Sequence, residues 1–548
     1  MELVEIRDLD GPNIFMLRPA IKIELIADSR DVTPEAVAQL DACLEPLGIS
    51  DEGWAGGVSE VGALLAEAVV ALHRRIGGDP PETAWTTLDD PHHVVVAFSW
   101  QRRAFALAVA EAIAEFAIGE RQDMQVLDAR LRSALQGPAD DEDKPLLVRD
   151  ADRTVPTVAI TGTNGKTTTT RLIAHILNKT GRRVGLSSSS GVIIDGQPVL
   201  EGDFTGPSGA RRVLTDGNID VAVLETARGG LLLRGLGYES NDVSVFTNVS
   251  ADHLGLQGIE TVESLAKVKA TVVQVTKPEG FAVLNADDPR VRGVAASIRA
   301  SLFWVSREGN NPTVSSHVAA GGRALTVENG AMVQSNGVPP DGGPLIMVDE
   351  IPITFGGRAG HMIENALCAA AACLALGIDA STVREGLMTF QPTAEDNSGR
   401  LNVYAVDGVT VIVDYAHNEA GLAQLLSLAA SFRENGRDIT TIIGTAGDRT
   451  DAALGEIGRL AGEISGRVVI KETTRYLRGR SSASEMTEQF RRGIAAGGTP
   501  GVDVVTGEVT ALDKALAGCR AGDVVAMMCI EEVSDVQAHL ASIGRPFK

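Results

Sequence analysis

The hydrophobic and polar positions of the first 135 residues follow two periods. Runs rich in β-branched and apolar residues are typical of strands, and runs with apolar residues three or four positions apart are typical of helices. The strand-like runs are residues 4–15, 21–27 and 92–100, and the helix-like runs are residues 60–78 and 101–120. We predict a small α+β domain over residues 1–135. The charged stretch GPADDEDKP, which contains Pro and Gly, then predicts a linker over residues 136–152.

Residues 153–397 alternate strand-like with helix-like patterns. The helix predicted at residues 167–183 gathers its apolar residues on one face, and Gly181 is a stop signal near its end. The predicted strands are residues 157–161, 221–225, 243–249 and 280–286. Strands that alternate with helices in this way indicate a doubly wound, mostly parallel sheet.

The last block, residues 398–548, repeats the alternation of strand and helix. Its predicted strands are residues 409–416, 438–446, 468–472, 502–506 and 523–530. We predict a second, Rossmann-like α/β domain that begins near Ser398. The chain as a whole is therefore expected to be an α/β protein.

Composition and charge argue against several classes of function. The 548 residues carry 49 Lys and Arg against 72 Asp and Glu, a net charge of −23, which argues against a nucleic-acid partner. The five cysteines form no C-x-x-C pair, which favours reduced thiols in a cytosolic protein. The N-terminal residues do not resemble a signal peptide, and no run of about eighteen apolar residues occurs. We expect a cytoplasmic protein that binds neither nucleic acid nor membrane.

The stretch VAITGTNGKTTTTR, residues 158–171, places a glycine-rich turn between a predicted strand and a predicted helix. The N–H groups of such a turn hold phosphate, and Lys166 would reach the β- and γ-phosphates of a nucleotide. Thr167 would place its hydroxyl on Mg²⁺. The eight-residue form of this motif requires Gly at position 160, where the chain has Ile160. An ordinary glycine turn before a threonine-rich helix is the alternative.

Further polar residues follow predicted strands. Glu225 ends the strand VAVLE, and His253 follows the strand that begins at residue 243. Open α/β sheets bind ligands at these carboxyl ends, so the two residues could complete a metal site built mainly from oxygen ligands. In LNADDP, Asn285 and Asp288 could hydrogen-bond a nucleoside. The alternatives are a solvated strand-end charge, a structural histidine and a simple turn.

Seven motifs occur in the order and spacing of the Mur ligase family, which the chain resembles over residues 150–548. They are TGTNGKTTT, LETARGG, NVSADHLG, LNADDP, GHMIENALCAA, NSGRLN and DYAHN. Within this family the sequence is most similar to the Mur-like part of cyanophycin synthetases. That likeness depends on GDFTGPSGARRVL (202–214), LETARGGLLLRGLGYE (224–239) and YLRGR (476–480), and EIRDLDGPNIF resembles the start of their N-terminal domain.

The resemblance implies a central P-loop ATPase domain at 153–397, a C-terminal domain at 398–548, and a role for each matched residue. The residues implied for ATP phosphates and one Mg²⁺ are Gly162, Thr163, Asn164, Gly165, Lys166, Thr167 and Thr168. Those implied for a second Mg²⁺ are Glu225 and His253, and those for the nucleoside are Asn285, Asp288 and Asn365. Those expected to close on ATP from the C-terminal domain are Arg400, Asp414 and His417, with Asn418 beside them. Those expected at the substrates are Thr205, Gly206, Arg228, Asn418, Arg475, Arg478 and Arg480.

Family members often carry a carbamylated lysine after the Asp-His motif, and it helps to hold the second metal. ESLAKVKA offers Lys267 and Lys269. The family pattern places an apolar residue and then Ala before the modified lysine, and Leu265 and Ala266 match it with Lys269, whereas Lys267 would lie on another helix face. We therefore expect the modification at Lys269.

The resemblance implies an ATP-dependent ligase that joins a carboxylate to an amine through an acyl phosphate. Its partners would be a small amino acid and a carboxylate or peptide acceptor, and we expect a homo-oligomer. In cyanophycin synthetases the amino acid is arginine, and Arg475 would repel it if this residue faced the pocket. Residues 1–135 lead into the linker where those enzymes have an ATP-grasp domain, so we expect addition of one residue to an acceptor that residues 1–135 help to hold.

Two other functions are compatible with the same motifs. A degenerate Mur-like scaffold would bind nucleotide or peptide without catalysis, and it predicts loss of Lys166, Glu225, His253 or Asp414, all of which are present. A Mur-type ligase that works with an amidotransferase would carry a four-cysteine zinc site in the central domain, and the sequence has no such spacing.

Overall fold

The computed structural model describes residues 1–26, 34–49, 58–137, 143–252, 254–336, 343–499 and 501–547. Residues 1–137, here called the N-terminal block, form an antiparallel sheet with the strand order β1-β2-β4-β3. Its strands are β1 (Glu2–Leu9), β2 (Ala20–Ile26), β3 (Thr83–Thr87) and β4 (His93–Ser99), and its helices are α1 (Pro34–Leu44), α2 (Val58–Arg75), α3 (Arg103–Ala117) and α4 (Met124–Gln136). Ile21 and Ile23 of β2 pack on Val109 and Ile113 of α3. Alternate residues of a strand share one face of the sheet, and residues four apart share one face of a helix.

The described part of the predicted linker is packed against its neighbours. Asp143 forms an ion pair with Arg102 and accepts the N–H of Ala104 at 2.7 Å. Val148 forms a β-bridge with Tyr238 of the next domain. Residues 143–152 therefore form an ordered connection between the N-terminal block and the central domain, while 138–142 lie outside the described residues.

The described part of residues 157–397 contains a central sheet of 11 strands. The strands are β5 (Thr157–Thr161), β6 (Val184–Ser188), β7 (Gly191–Ile194), β8 (Gln197–Leu200), β9 (Val221–Glu225), β10 (Asn241–Phe246), β11 (Thr276–Asn285), β12 (Ser301–Ser306), β13 (Arg323–Glu328), β14 (Ala331–Ser335) and β15 (Ile346–Met347). The helices are α5 (Lys166–Asn178), α6 (Pro207–Leu214), α7 (Arg228–Arg234), α8 (Val262–Gln274), α9 (Pro289–Gly293), α10 (Pro312–Ala319), α11 (Gly360–Ala375), α12 (Ala380–Thr389) and α13 (Ala394–Asn397).

The central sheet is mostly parallel and covered on both faces. Strands β13, β12, β11, β10, β5, β9 and β6 run parallel in that order, with antiparallel hairpins at both edges. Val158 and Ile160 of β5 pack in the layer of α5 and α11, whereas Ala159 packs in the layer of α8. The predicted doubly wound sheet is therefore confirmed. Because β9 and β10 lie on opposite sides of β5, a crevice opens at the carboxyl end of β5.

The C-terminal residues form a second α/β sheet with the order β20-β19-β18-β21-β17-β16-β22. Its strands are β16 (Asn402–Val406), β17 (Val409–Asp414), β18 (Ile439–Ile443), β19 (Arg467–Glu472), β20 (Val502–Thr506), β21 (Val524–Met528) and β22 (Arg545–Pro546). Its helices are α14 (Glu419–Phe432), α15 (Asp451–Ile464), α16 (Ala483–Gly497), α17 (Glu508–Leu516) and α18 (Val533–Ile543). Strands β17 to β21 pair in parallel, and β16 and β22 add antiparallel at one edge. Among the described helices, none combines the length and apolar character that crossing a membrane requires.

Candidate active site

A cavity of about 560 Å³ lies between the carboxyl ends of the central strands and the C-terminal domain. Most residues that the sequence singled out line this cavity. They are Thr163, Asn164, Gly165, Lys166, Thr167, Thr168, Thr205, Glu225, Arg228, Lys269, Asn365, Arg400, Asp414, His417 and Arg478. The fold thus gathers side chains from distant segments of the chain, and the crevice at a topological switch point is where open α/β sheets bind ligands.

The glycine-rich turn between β5 and α5 has the geometry of a phosphate loop. Gly162 and Gly165 have φ of 147° and 85°, a region that side chains rarely adopt. A Cβ at Gly165 would overlap the Asn365 amide oxygen, so the backbone packs closely there. Helix α5 begins at Lys166, whose Nζ donates to the Thr163 carbonyl at 2.8 Å. The N–H groups of Thr163 and Asn164 donate to Asn248, whereas a helix N-terminus such as the start of α5 is suited to bind phosphate.

Glu225 and Thr167 form a buried pair of oxygen donors beside the phosphate loop. Glu225 is 3% exposed, its Oε1 accepts the Thr167 hydroxyl at 3.1 Å, and its Oε2 accepts the Ser189 N–H at 3.2 Å. A hydroxyl and one carboxylate are the kind of donors that Mg²⁺ takes while it keeps several waters. His253 lies outside the described residues. Among the residues that the structure describes, no group of three or more His, Cys, Asp or Glu forms a metal cluster.

Lys269 and Lys267 lie on different faces of α8. Lys267 is exposed, whereas Lys269 is 3% exposed, lines the cavity and donates from Nζ to the Gly162 carbonyl at 2.7 Å. Burial lowers the pKa of Lys269 well below its usual range, and the charge of Lys166 lowers it further. Burial thus favours the uncharged amine of Lys269, which is the form that reacts with CO₂.

The C-terminal domain reaches the phosphate loop through Arg400. The guanidinium lies 4.2 Å from the Tyr415 ring centroid, and its Nη2 is 3.4 Å from the hydroxyls of both Thr167 and Ser189. Leu401, next in the chain, has φ of 49°, and its N–H donates to Asp414 at 2.8 Å. Burial raises the pKa of Asp414, although the charge of Arg400 opposes the shift. Asp414 thus holds the turn that presents Arg400.

Asn418 and His417 extend this contact. The Asn418 amide donates to the Asn164 side chain at 3.4 Å, and His417 Nε2 lies 3.9 Å from Asp252. Arg449 forms an ion pair with the same Asp252. The two domains are therefore in direct polar contact around the cavity.

Several predicted site residues make structural contacts instead of lining the cavity. The Asn285 amide donates to the Thr247 carbonyl at 2.9 Å, and Asp288 caps α9 and accepts the Val249 N–H at 2.7 Å. Arg480 donates to the Gly447 and Arg449 carbonyls. Gly206 is the N-cap of α6. The ligand roles of Asn285, Asp288, Gly206 and Arg480 stay predictions.

Arg475 does not line the cavity. Its side chain is 58% exposed, and Nη1 donates to the Glu531 carbonyl at 2.9 Å. The expectation that Arg475 repels a basic amino acid depended on its facing the cavity, so this residue no longer argues against arginine. Arg478 does line the cavity, where Asp448 accepts from its guanidinium at 2.7 Å.

The sequence did not single out several cavity residues. These are Ser189, Asp203, Asp252, His361, Tyr415, Asp448, Arg449 and Tyr476. Asp448 and Arg449 follow β18 in the string TAGDRT, and a polar pair after a parallel strand was the available signal. His361 stands in the motif GHMIENALCAA but lies in α11 and follows no strand, so the motif was its available signal. Burial lowers its pKa to about 4, so the imidazole is neutral in the cavity wall.

A buried charge network supports the loops beside the cavity. Lys471 is 0% exposed, and its Nζ lies 2.7 Å from Glu531 and 3.4 Å from Glu508. Glu508 also accepts the Ile530 N–H at 2.8 Å, and Ile530 lines the cavity. Glu531 accepts the Arg475 N–H at 2.8 Å. The network thus ties the loop after β19 to the loop after β21.

Comparison with protein families assigns both large domains. Residues 160–373 match the Mur ligase middle domain, and residues 399–529 match the glutamate ligase domain of Mur ligases. The chain belongs to the Mur ligase family. The resemblance predicted from the seven motifs is therefore confirmed.

The curated relatives of this Mur ligase family member include cyanophycin synthetases. The enzyme of Synechocystis sp. is 41% identical over 367 residues, which cover 66% of this chain and 41% of the relative. The UDP-N-acetylmuramoyl-L-alanyl-D-glutamate--2,6-diaminopimelate ligase of Chlorobaculum tepidum is 28% identical over 323 residues, 57% of this chain and 60% of the relative. The chain thus spans about two fifths of the length of the cyanophycin synthetases that it matches.

Solved structures share the fold. Mycobacterium tuberculosis folylpolyglutamate synthase complexed with ADP matches with a TM-score of 0.52 and 20% identity, covering 72% of this chain and 92% of that one. E. coli FolC in complex with DHPP and ADP gives a TM-score of 0.51 at 20% identity and covers 71% of this chain and 89% of that one. These likenesses confirm the two-domain Mur ligase architecture at the level of fold.

Proposed function

We propose that the chain is an ATP-dependent ligase that adds an amino acid to a carboxylate of an acidic peptide or small acceptor. The observation that carries the proposal is the contact of Arg400 with Thr167 and Ser189, since it closes the C-terminal domain over the buried Glu225–Thr167 pair. A phosphate loop, a carboxylate and an arginine of the C-terminal domain in one cavity suit phosphoryl transfer. The ligase and synthetase relatives support the same reaction class.

In the proposed reaction, the phosphate loop binds ATP and Lys166 neutralises the charge that develops on the γ-phosphoryl group. An oxygen of the acceptor carboxylate attacks the γ-phosphorus, and ADP leaves. Mg²⁺, held by Thr167, Glu225, His253 and a carbamylated Lys269, would supply further charge neutralisation at the phosphoryl oxygens. We propose two such ions, as the family resemblance implies.

The second step needs an enclosed cavity. The acyl phosphate is reactive toward water, so closure of the C-terminal domain protects it until the amine attacks the acyl carbon and phosphate leaves. Arg400 lies at the boundary between the two domains, and closure places its guanidinium against the Thr167 hydroxyl. The amine loses its proton to a base in the cavity or to water as the amide bond forms.

Phosphate release tests the proposal directly. The protein is incubated with ATP and Mg²⁺, each of the twenty amino acids, and several short acidic peptides, and products are identified by mass spectrometry. We expect phosphate release that requires both substrates, and one added residue per acceptor carboxylate. With Lys166→Ala we expect neither phosphate release nor an added residue. ATP binding without turnover under every combination would support the nucleotide-binding scaffold and overturn the ligase.

The same experiment without a peptide tests whether the protein forms one type of amide bond or more than one. The sequence carries one G-x-x-G-K-T loop, so we propose that this chain adds single residues and does not polymerise free amino acids. Growing chains in the peptide-free reaction would contradict this. We also propose that residues 1–135 help to hold the acceptor. The test is to measure the acceptor affinity of variants with substitutions on the surface of that block.

A further inference from the structure

Among the described residues, the N-terminal block touches the central domain at two places, beside α7 and beside α8, and residues of both helices line the cavity. At the first, the Asp10 N–H donates to the Arg234 carbonyl at 2.9 Å, and the Leu236 N–H donates to the Pro12 carbonyl at 2.8 Å. Arg234 ends α7, and this helix begins at Arg228 in the cavity wall. The second place is the turn between β3 and β4.

The β3–β4 turn presents the Asp89 carboxylate to the start of α8. Its Oδ2 accepts the N–H groups of Glu260 at 2.7 Å and Thr261 at 3.0 Å, and its Oδ1 accepts the Ser264 hydroxyl at 2.5 Å. Thr261 is itself the N-cap of α8 and accepts the Ser264 N–H. Burial alone would raise the pKa of Asp89, but these hydrogen bonds outweigh it and lower the pKa below its usual value. Asp89 is therefore ionised and fixes the cap from another domain.

The segment that Asp89 holds forms one wall of the cavity. Leu256, Gln257 and Leu265 line that wall, and Lys269 lies four residues beyond Leu265 on the same face of α8. A Cβ at Gly258 would overlap the side chain of the residue that precedes Asp89, so the turn also packs closely on this segment. Of the residues that the structure describes in the N-terminal block, none lines the cavity itself.

We infer that Asp89 is a positioning residue of the active site, because its hydrogen bonds hold residues 254–261 and the first turn of α8 against the cavity and thereby place Lys269. The kinetic part of this inference rests on the proposed function. The structural part does not, since it concerns only the contacts of Asp89. Among the described contacts, none joins Asp89 to the phosphate loop. Loss of the Asp89 contacts should therefore lower the rate of the chemical step more than the affinity for ATP.

Two substitutions separate the hydrogen bonds of Asp89 from its charge. Asp89→Asn can accept both backbone N–H groups through its amide oxygen and donate from its NH₂ to the Ser264 oxygen, so it should behave almost as the native chain. Asp89→Ala loses all these contacts. We expect its kcat for phosphate release to fall about 10- to 100-fold, with the affinity for a non-hydrolysable ATP analogue changed by less than about twofold.

Hydrogen exchange supplies a readout that needs no substrate. Amides of residues 254–264 should exchange faster in Asp89→Ala than in the native chain, and Asp89→Asn should restore slow exchange. The matched control is Asp90→Ala, which removes the same charge from the same turn, where Asp90 accepts the His92 N–H at 2.9 Å. It should leave exchange in 254–264 and kcat unchanged. Should Asp89→Ala fail to fold, Ser264→Ala removes one contact and carries the same test.

Three outcomes decide the inference. Unchanged exchange in Asp89→Ala would overturn the positioning role outright. Faster exchange with native kcat would overturn the link between this contact and the active site. If the native chain releases no phosphate with any substrate, the proposed function fails, while the exchange data still decide whether Asp89 holds the segment.

Discussion

Replacing Glu225 by Gln separates the charge of this residue from its hydrogen bonds. Oε1 accepts the Thr167 hydroxyl at 3.1 Å, and Oε2 accepts the Ser189 N–H at 3.2 Å. A Gln amide can keep both contacts, because its oxygen can accept from Ser189 and its NH₂ can donate to the Thr167 oxygen. The Thr167 hydroxyl can then donate to Ser189 Oγ, which lies 3.1 Å away. Glu225→Gln therefore removes a negative charge and little else.

The expected effect is large on catalysis and small on folding. Loss of one preorganised charged group at a phosphoryl centre should lower kcat about 10²- to 10³-fold, or about 2.7–4 kcal/mol. The free energy of unfolding should change by less than about 1 kcal/mol, since no buried donor is left unpaired. The assay follows ADP release over a series of Mg²⁺ concentrations, and thermal unfolding is measured on the same samples. The Mg²⁺ concentration that gives half the maximal rate should rise.

Glu472 offers a matched control for Glu225. It also ends a parallel strand and accepts a threonine hydroxyl, that of Thr506 at 3.2 Å, but it does not line the cavity. Glu472→Gln should keep the native kcat and Mg²⁺ dependence. Native turnover of Glu225→Gln at low Mg²⁺ would refute the metal role of Glu225, and a large loss of stability would refute the hydrogen-bond reasoning.

Three other substitutions test neighbouring parts of the structure. Lys269→Ala should lower ADP release by about tenfold or more and recover part of it with a short carboxylic acid, whereas Lys267→Ala, which changes an exposed residue, should stay native. Arg400→Ala removes the contact between the C-terminal domain and the phosphate loop and should lower kcat about 10²-fold; an unchanged kcat would exclude the closure role. Lys471→Met leaves two buried glutamates unpaired and should lower the free energy of unfolding in urea by about 3–5 kcal/mol, whereas Arg492→Met, in an exposed pair, should lower it by less than about 1 kcal/mol.

Local patterns predicted much of the fold, including the edge strand at 502–506, but other edge strands were missed. TVAIT at 157–161 and VAVLE at 221–225 are strands with the predicted bounds, because buried parallel strands are continuous apolar runs flanked by turns. The edge strand β8, residues Gln197–Leu200, is exposed throughout and carries no such run. Helix α4 was also missed, because its mean hydropathy is low and few of its residues are buried.

By itself, the sequence determined those parts of the site that depend on one element. Lys269 is the buried lysine because its position on the 3.6-residue period of α8 faces the sheet, and Glu225 is at the cavity because it ends a central parallel strand. Only the tertiary structure decided how elements meet. It brought Arg400 to Thr167, left Arg475 outside the cavity and set Asp89 on the first turn of α8. These contacts depend on the fit of two folded surfaces, and no periodicity within either segment records that fit.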